Sequence, residues 1–281
     1  MASFQFIRSS TIEEASDILR ERPGRAFLLA GGTDLIVEIQ KGRKQPEWVL
    51  DAKRLRGLDG DIVFRDGALR IGALAVMTDV LEHAEARTHF PALCEALRVI
   101  GSVQIRNRAT IPGNICHASP AADSAPPLLV YDARIFVFNA RSGRRTVSIR
   151  EFFLGPGRTA LAPGDIVEEI EIPRPPRDSG AAFLRLARRR GMDLSSISAA
   201  CVVDSEGRAR FAFGAVGPTP LLLPEEPGCD GPATPELRER LSAGIRPISD
   251  IRAGAEYRHA MAAVIGARAL AVAQARRRKG A

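Results

Sequence analysis

Apolar residues recur along the chain at two different periods, and the points where the period changes mark out the elements. After Thr11, which forms a capping-box pattern with Glu14, residues Ile12, Ala15, Ile18 and Leu19 fall on one helical face up to Pro23-Gly24. Ala26-Phe27-Leu28-Leu29-Ala30 is a continuous apolar run of buried-strand type, broken by Gly31-Gly32. Leu35, Ile36 and Ile39 resume helical spacing until Gly42, and Trp48-Val49-Leu50 supplies another strand. Strand, glycine turn, helix and strand predict a small parallel crossover unit, which presents helix-terminal N–H groups at a strand end.

From about residue 58 the period becomes two. Ile62, Phe64, Leu69 and Ile71 alternate around Arg65-Asp66-Gly67-Ala68, which predicts a hairpin. Helical spacing follows over Thr78–Ala86 and Pro91–Ile100, and then Gly101 to Pro127, rich in small and turn-forming residues, reads as one long loop of the kind that usually carries function. Arg134–Phe138 and Arg145–Ile149 bracket a second hairpin, Ile166–Ile172 alternates as a further strand, and Pro173-Arg174-Pro175-Pro176 is a linker pattern. Beyond it, Ala181–Ala187, Ile197–Val203 and Arg208–Phe213 read as strands and the remainder as helix, ending in an Ala-rich stretch from Ile251 to Arg278. The division predicts an α+β chain with one domain over 1–176, in subdomains of about 1–57 and 58–176, and a second over 177–281 that packs a small sheet on helices.

With 281 residues, each domain is large enough for its own core. The net charge of +7 admits a nucleic-acid partner. The excess lies toward the C-terminus, however, where Arg276-Arg277-Arg278-Lys279 ends a helix whose dipole cations complement, so a solvated helix end is the expectation and nucleic acid is not. Two tyrosines and one tryptophan leave little for base stacking. Cys94, Cys116, Cys201 and Cys229 form no C-x-x-C pair and the four histidines show no ligand spacing, so no metal centre is expected on this chain. Cys116 is expected to be a packing residue. No apolar run reaches membrane-spanning length and the N-terminus has no leader pattern, which places the chain in the cytoplasm without a membrane span.

Two segments carry candidate chemistry. In Ala30-Gly31-Gly32-Thr33-Asp34 the glycines permit positive φ and close approach of a ligand to the backbone ahead of a helix start. Alone, the segment is equally a plain strand-to-helix turn. In Thr110-Ile111-Pro112-Gly113-Asn114 a hydroxyl, backbone N–H groups and a side-chain amide suit phosphate oxygens, and two such loops suit a diphosphate. Neither matches the nicotinamide G-x-G-x-x-G fingerprint or a P-loop. Asp123 is placed either to accept from a ribose hydroxyl or to cap the following helix.

Leu28 to Leu35 and Thr110 to Asp123 resemble the paired signatures of the FAD-binding medium subunits of the xanthine dehydrogenase and carbon monoxide dehydrogenase family. Ala73 to Thr78, Gly164-Asp165-Ile166, Ala215 to Pro220, Ser249 to Arg252 and Glu256-Tyr257-Arg258 follow in the family's order. The resemblance implies an FAD-binding domain of two subdomains, a small parallel β-α-β unit and an antiparallel sheet with helices. A C-terminal domain of three-stranded antiparallel sheet and helical bundle is implied after it. It implies FAD contacts from Leu29, Ala30, Gly31, Gly32, Thr33, Asp34, Leu35, Ile100, Thr110, Gly113, Asn114, Asp123, Ile166, Val167 and Arg185, with Asp123 on the adenosine side. Arg185, or one of Arg188, Arg189 and Arg190, takes the place of a basic residue near the flavin ring. Pro112 stands where the family usually has glycine, so Gly113 and Asn114 are expected to donate instead. No catalytic residue is implied here. Molybdopterin and [2Fe-2S] clusters are implied on a large and a small partner subunit, in a dimer of heterotrimers that delivers electrons to an acceptor such as NAD or a quinone. The competing reading is a self-contained FAD-dependent oxidoreductase whose last hundred residues bind substrate.

Overall fold

The computed structural model describes residues 3–189 and 191–280. β1 (Gln5–Ile7) leads into α1 (Ile12–Glu21), where the Thr11 hydroxyl accepts from the Glu14 N–H and the Glu14 carboxylate accepts from the Ser10 N–H. β2 (Ala26–Leu29), α2 (Leu35–Gln40) and β3 (Trp48–Asp51) complete a parallel sheet in the order β1-β3-β2. At three residues, β1 is too short to show a period. Because the strands are parallel, the segments that leave their carboxyl ends, namely Arg8–Thr11, Ala30–Asp34 and the helical turn Ala52–Arg54, lie along one edge.

β4 (Ile62–Arg65) and β5 (Ala68–Gly72) form the expected hairpin, with Asp66 and Gly67 both at positive φ, 53° and 72°. The helix expected over Thr78–Ala86 is two, α3 (Met77–Glu82) and α4 (Ala84–His89), joined at an extended His83. Val80 and Ala86 fall on different faces of a continuous helix, and the bend lets both reach one core. α5 (Pro91–Val99) matches its prediction. The stretch expected as a long loop instead holds α6 (Val103–Arg106), α7 (Ile111–His117) and α8 (Ala125–Val130). Short helices rich in proline and small residues carry too little periodicity to be read from sequence. β6 (Arg134–Asn139), β7 (Gly143–Ser148), α9 (Ile149–Phe152), the hairpin of β8 (Phe153–Gly155) and β9 (Arg158–Thr159), and β10 (Ile166–Pro173) follow, giving a sheet ordered β4-β5-β10-β6-β7.

Beyond the prolines come β11 (Gly180–Leu186), β12 (Ile197–Val203), β13 (Ala209–Gly214) and β14 (Leu221–Leu222), an antiparallel sheet in chain order, then α10 (Pro235–Ala243) and α11 (Ala255–Gly280). β14 adds a fourth strand to the three expected. This sheet is covered on both faces. Ala181, Phe183, Ala200, Val202 and Ala212 join the core that α5 and α8 build on the five-stranded sheet, while Ala199, Cys201, Phe211 and Phe213 pack with Leu241, Ile265 and Leu270 of the two last helices. Burial on both faces is why β12 reads as a continuous apolar run although its neighbours are antiparallel.

The two halves are also joined by polar contacts. Glu95 on α5 accepts from the Phe183 N–H at 2.8 Å and pairs with Arg276 of α11, which in turn donates to the Ala181 carbonyl at 2.6 Å. Arg277 donates to the Asp204 carbonyl at 2.8 Å and pairs with Asp230. The terminal arginines are thus tied into the protein, which corrects the expectation of a solvated helix end; the Lys279 side chain lies outside the described residues. Glu95→Ala leaves the Phe183 N–H and a guanidinium without their acceptor. The expected loss of stability is about 1–2 kcal/mol, set mostly by the orphaned N–H because the ion pair is partly solvated. Urea unfolding of the variant checks it, and an unchanged midpoint removes this contact as a staple.

Candidate cofactor-binding site

A cleft of about 830 Å³ opens where the parallel unit, the antiparallel unit and the C-terminal domain meet. One wall is Ala30 to Leu35 with Arg43 and Lys44; the opposite wall is Ile100, Ile105 and the start of α7; Met192, Asp193 and Leu194 close it from the C-terminal side. In the first wall, Gly32 sits at φ 78°, a conformation that other residues adopt only with strain. Gly31 is required for a different reason. A Cβ there would lie 2.0 Å from the Arg108 carbonyl oxygen, so its hydrogen is what lets the two walls approach backbone to backbone. The N–H groups of Gly31 to Leu35 have no acceptor among the described residues, the α2 hydrogen bonds starting with the Ile36 N–H on the Gly32 carbonyl at 3.1 Å. Asp34 is the N-cap of α2 without a side-chain cap bond, so its carboxylate bears on the helix only through the dipole.

In the opposite wall Thr110 is the N-cap of α7, its hydroxyl accepting from the Gly113 N–H at 3.0 Å and its carbonyl from the Asn114 N–H at 3.0 Å. Pro112 therefore occupies the first helical turn, where its fixed φ is favourable and its missing N–H has no helical partner to lose. The backbone N–H groups of Gly113 and Asn114 both serve the first turn of α7 itself, so of the donors expected to stand in for Pro112 the Gly113 N–H is already engaged. The Asn114 side chain is the donor left in that turn. Its Oδ1 accepts from the Ser124 hydroxyl at 2.7 Å, which orients the amide and leaves Nδ2 without an acceptor among the described residues. Cys116 also lines the cleft, with burial pushing its thiol up to about 12, so it stays protonated and packs.

Asp123 lies behind the cleft rather than in its lining. It is 5 % exposed and caps no helix; its Oδ1 accepts from the Ser195 hydroxyl at 2.7 Å and its Oδ2 pairs with Arg185 at 3.3 Å. Burial pushes the carboxyl above its ordinary value, while the Ser195 hydroxyl and the Arg185 guanidinium pull against that. Arg185 also donates to the Asp193 carbonyl at 3.0 Å and to the Gly191 carbonyl at 3.1 Å. The segment that closes the cleft is held a second time from below, where Arg258, 2 % exposed, donates to the Ser196 carbonyl at 2.8 Å and pairs with Asp250 at 2.8 Å. Arg188 donates to the Ile251 carbonyl and Arg189 to the Met192 carbonyl, and Arg190 lies outside the described residues.

Of the residues singled out in the sequence, Ala30, Gly31, Gly32, Thr33, Asp34, Leu35, Ile100, Thr110, Gly113 and Asn114 line this one cleft. Leu29, Asp123, Ile166, Val167 and Arg185 do not. Ile166 is buried with Ile12, Leu50 and Phe138, and Val167 in the central core. Missed by sequence reasoning were Lys44, whose ammonium stands 4.5 Å from the Phe27 ring, and Met192 to Leu194, which only the turn-forming Gly191 marks. The fit to a dinucleotide rests on free backbone donors lining the cleft and on glycine where Gly31 meets the Arg108 carbonyl. Among the side chains Lys44 adds a cation, Arg43 is paired with Glu38 at 3.2 Å, and Asp34 and Asp193 are acids in the same lining.

Residues 2–175 match the family described as FAD binding domain in molybdopterin dehydrogenase, and residues 182–273 match the CO dehydrogenase flavoprotein C-terminal domain. The chain is 35 % identical over 262 residues to the xanthine dehydrogenase FAD-binding subunit of Escherichia coli O157:H7, covering 89 % of each. It is 32 % identical to the carbon monoxide dehydrogenase medium chain of Hydrogenophaga pseudoflava, covering 97 % of this chain and 98 % of that one. A solved structure of carbon monoxide dehydrogenase from the same organism, which lacks the Mo-pyranopterin moiety of the molybdenum cofactor, superposes with a TM-score of 0.88 at 30 % identity, covering 97 % of this chain and 98 % of the other.

Gly31→Ala forces the two walls apart, because a backbone oxygen cannot yield as a side chain does. Its expected effect is a loss of flavin affinity of at least about tenfold. Gly113→Ala meets only the Thr110 hydroxyl, at 2.9 Å, and loses less. Flavin bound per folded chain after reconstitution checks the ranking, and equal retention by both variants contradicts the role assigned to Gly31.

Proposed function

The chain belongs to the family of FAD-binding medium subunits of the molybdenum hydroxylases, and from that membership we propose how its cleft is used. FAD, when bound, supplies a two-electron carrier that can also pass electrons singly, and so joins one-electron centres to a two-electron acceptor. The chain's own residues hold it. The free N–H groups of Gly31 to Leu35 and the Asn114 amide serve the pyrophosphate, with Lys44 adding positive charge at the rim and Arg43 held by Glu38. Ile100 and Leu35 give apolar cover. Asp123 and Arg185 act from behind the cleft by fixing the Gly191–Ser195 segment. Ile166 and Val167 back the cleft from the cores behind it, and the Leu29 side chain lies under Gly32. These roles need no acid, base or nucleophile, so the task is binding and placement.

In this reading the chain works beside a large molybdopterin subunit and a small subunit with [2Fe-2S] clusters, in a dimer of heterotrimers in the cytoplasm, and passes electrons to NAD or a quinone. Among the described residues no helix is long and apolar enough to cross a membrane. The single observation that carries the subunit reading over a self-contained oxidoreductase is the match of residues 182–273. The alternative gives that region to substrate binding, whereas it matches a flavoprotein domain of a multi-subunit enzyme. Affinity purification of the tagged chain from its native host, followed by flavin, iron and molybdenum analysis, tests it. The expected result is about one FAD per chain together with iron and molybdenum on two co-purifying chains. A flavin-loaded chain that oxidises a small substrate with no partner supports the alternative.

A further inference from the structure

The carboxyl edge of the parallel sheet holds a second polar pocket, outside the cleft, lined by Arg8, Ser9 and Ser10 after β1 and by Arg54 and Arg56 after β3. Among the described residues none of these three guanidiniums pairs with a carboxylate or donates a hydrogen bond; Arg8 only lies 5.9 Å from the Phe6 ring. Of the acids nearby, Asp51 pairs with Lys53 and the Glu14 carboxylate accepts from the Ser10 N–H, while Glu13 in the first turn of α1 is exposed and does not pair with these arginines. Exposed arginines are usually solvated, and three of them alone carry no site. The independent observation is Ser9, which lines the same pocket, is 2 % exposed, and has a buried hydroxyl with no hydrogen-bond partner. A buried hydroxyl without a partner is disfavoured by about 1–3 kcal/mol, and an acceptor bound in the pocket relieves that. The pocket also sits at the N-terminus of α1, a ten-residue helix whose dipole favours negative charge there.

We propose that this pocket is a binding site for a phosphate-class oxyanion, held by Arg8, Arg54 and Arg56 with the Ser9 hydroxyl as a fourth donor. Guanidinium forks match tetrahedral oxyanions, and an acceptor-only ligand is what four donors with no acceptor of their own require. The site is separate from the FAD cleft and independent of that assignment, yet close to it in the chain. Lys53, next to Arg54 in the Ala52–Arg54 turn, donates to the Leu29 and Ala30 carbonyls at the base of the first glycine loop.

Titration calorimetry of the flavin-loaded, full-length chain with inorganic phosphate, at constant ionic strength, tests the proposal; a nucleoside monophosphate is the second titrant. Saturable binding of one phosphate per chain is expected, weakened about tenfold by each of Arg54→Gln and Arg56→Gln and several-fold by Ser9→Ala, and unaffected by Arg174→Gln. Tighter binding of the nucleotide with the same sensitivity to the variants identifies a phosphate ester as the occupant, and equal or weaker binding identifies the free anion. Absence of saturation, or affinity unchanged in both arginine variants, overturns the site. Thermal melts confirm that the variants are folded, and flavin content is read separately. Loss of flavin from the arginine variants assigns the cluster to the FAD cleft and equally overturns the proposal, whereas loss of FAD binding in the parent chain bears only on the proposed function.

Discussion

The geometry of the cleft depends on one buried carboxylate. Asp123 lies at the end of the segment that follows α7, and its partners Ser195 and Arg185 belong to the C-terminal domain, 72 and 62 residues further along the chain. A carboxylate removed from water is tolerated only where donors surround it, so this contact strongly specifies how the two domains dock. The same arginine holds the carbonyls of Gly191 and Asp193, and Arg258 holds that of Ser196. One buried cation, one partly buried cation and one buried anion thus fix a segment that has no regular secondary structure, and that segment is the third wall of the site.

The other two walls meet through glycine. At Gly31 backbone touches backbone, and the free N–H groups that result face the cleft because the neighbouring chain occupies the space a side chain would take. Gly180 solves the same problem elsewhere, where a Cβ would stand 1.8 Å from the Ala273 carbonyl oxygen and push α11 off β11. Alanines do the rest of the close packing on both faces of the C-terminal sheet. With small residues at these approaches the three units interlock, and the cleft is shaped before any ligand arrives, which lowers the ordering that binding must impose.

Much of this arrangement was legible in the sequence, and what was hidden was hidden for definable reasons. The parallel unit, both hairpins, the strand Ile166–Pro173 and the last helix follow from period and turn residues. The Gly31-Gly32 loop could be placed between strand and helix from its paired glycine, but as a ligand loop it gained weight only beside the second segment and the family resemblance. Thr110 to Asn114 was readable as a phosphate-type loop only in conjunction with the first, and its helical nature was masked by Pro112, which reads as a breaker but is at home in a first turn. Asp123 could be singled out but not assigned, since its partners lie beyond the linker. Met192 to Leu194 were out of reach, and Arg258, quoted only within the Glu256-Tyr257-Arg258 motif, could not be given a role, because nothing local distinguishes an arginine that will be buried under a distant loop from one in solvent.

The distribution of charge across the site follows from the same construction. Cations that act through burial, Arg185 and Arg258, are matched by Asp123 and Asp250, and Asp250 is held below the usual carboxylate range because hydrogen bonds from Arg252 and Arg258 outweigh its partial burial. On the rim Arg43 is paired with Glu38 at 3.2 Å and Lys44 is half-buried beside the Phe27 ring, while Asp34, Glu38 and Asp193 line the same cleft, so side-chain charge there is close to balanced. The interior pairs determine shape, and the N–H groups of Gly31 to Leu35, unpaired among the described residues, supply the donors. A cofactor that carries a diphosphate meets both requirements in one molecule: its phosphates are recognised by those backbone donors, and its rings enter walls whose positions the buried pairs have already settled.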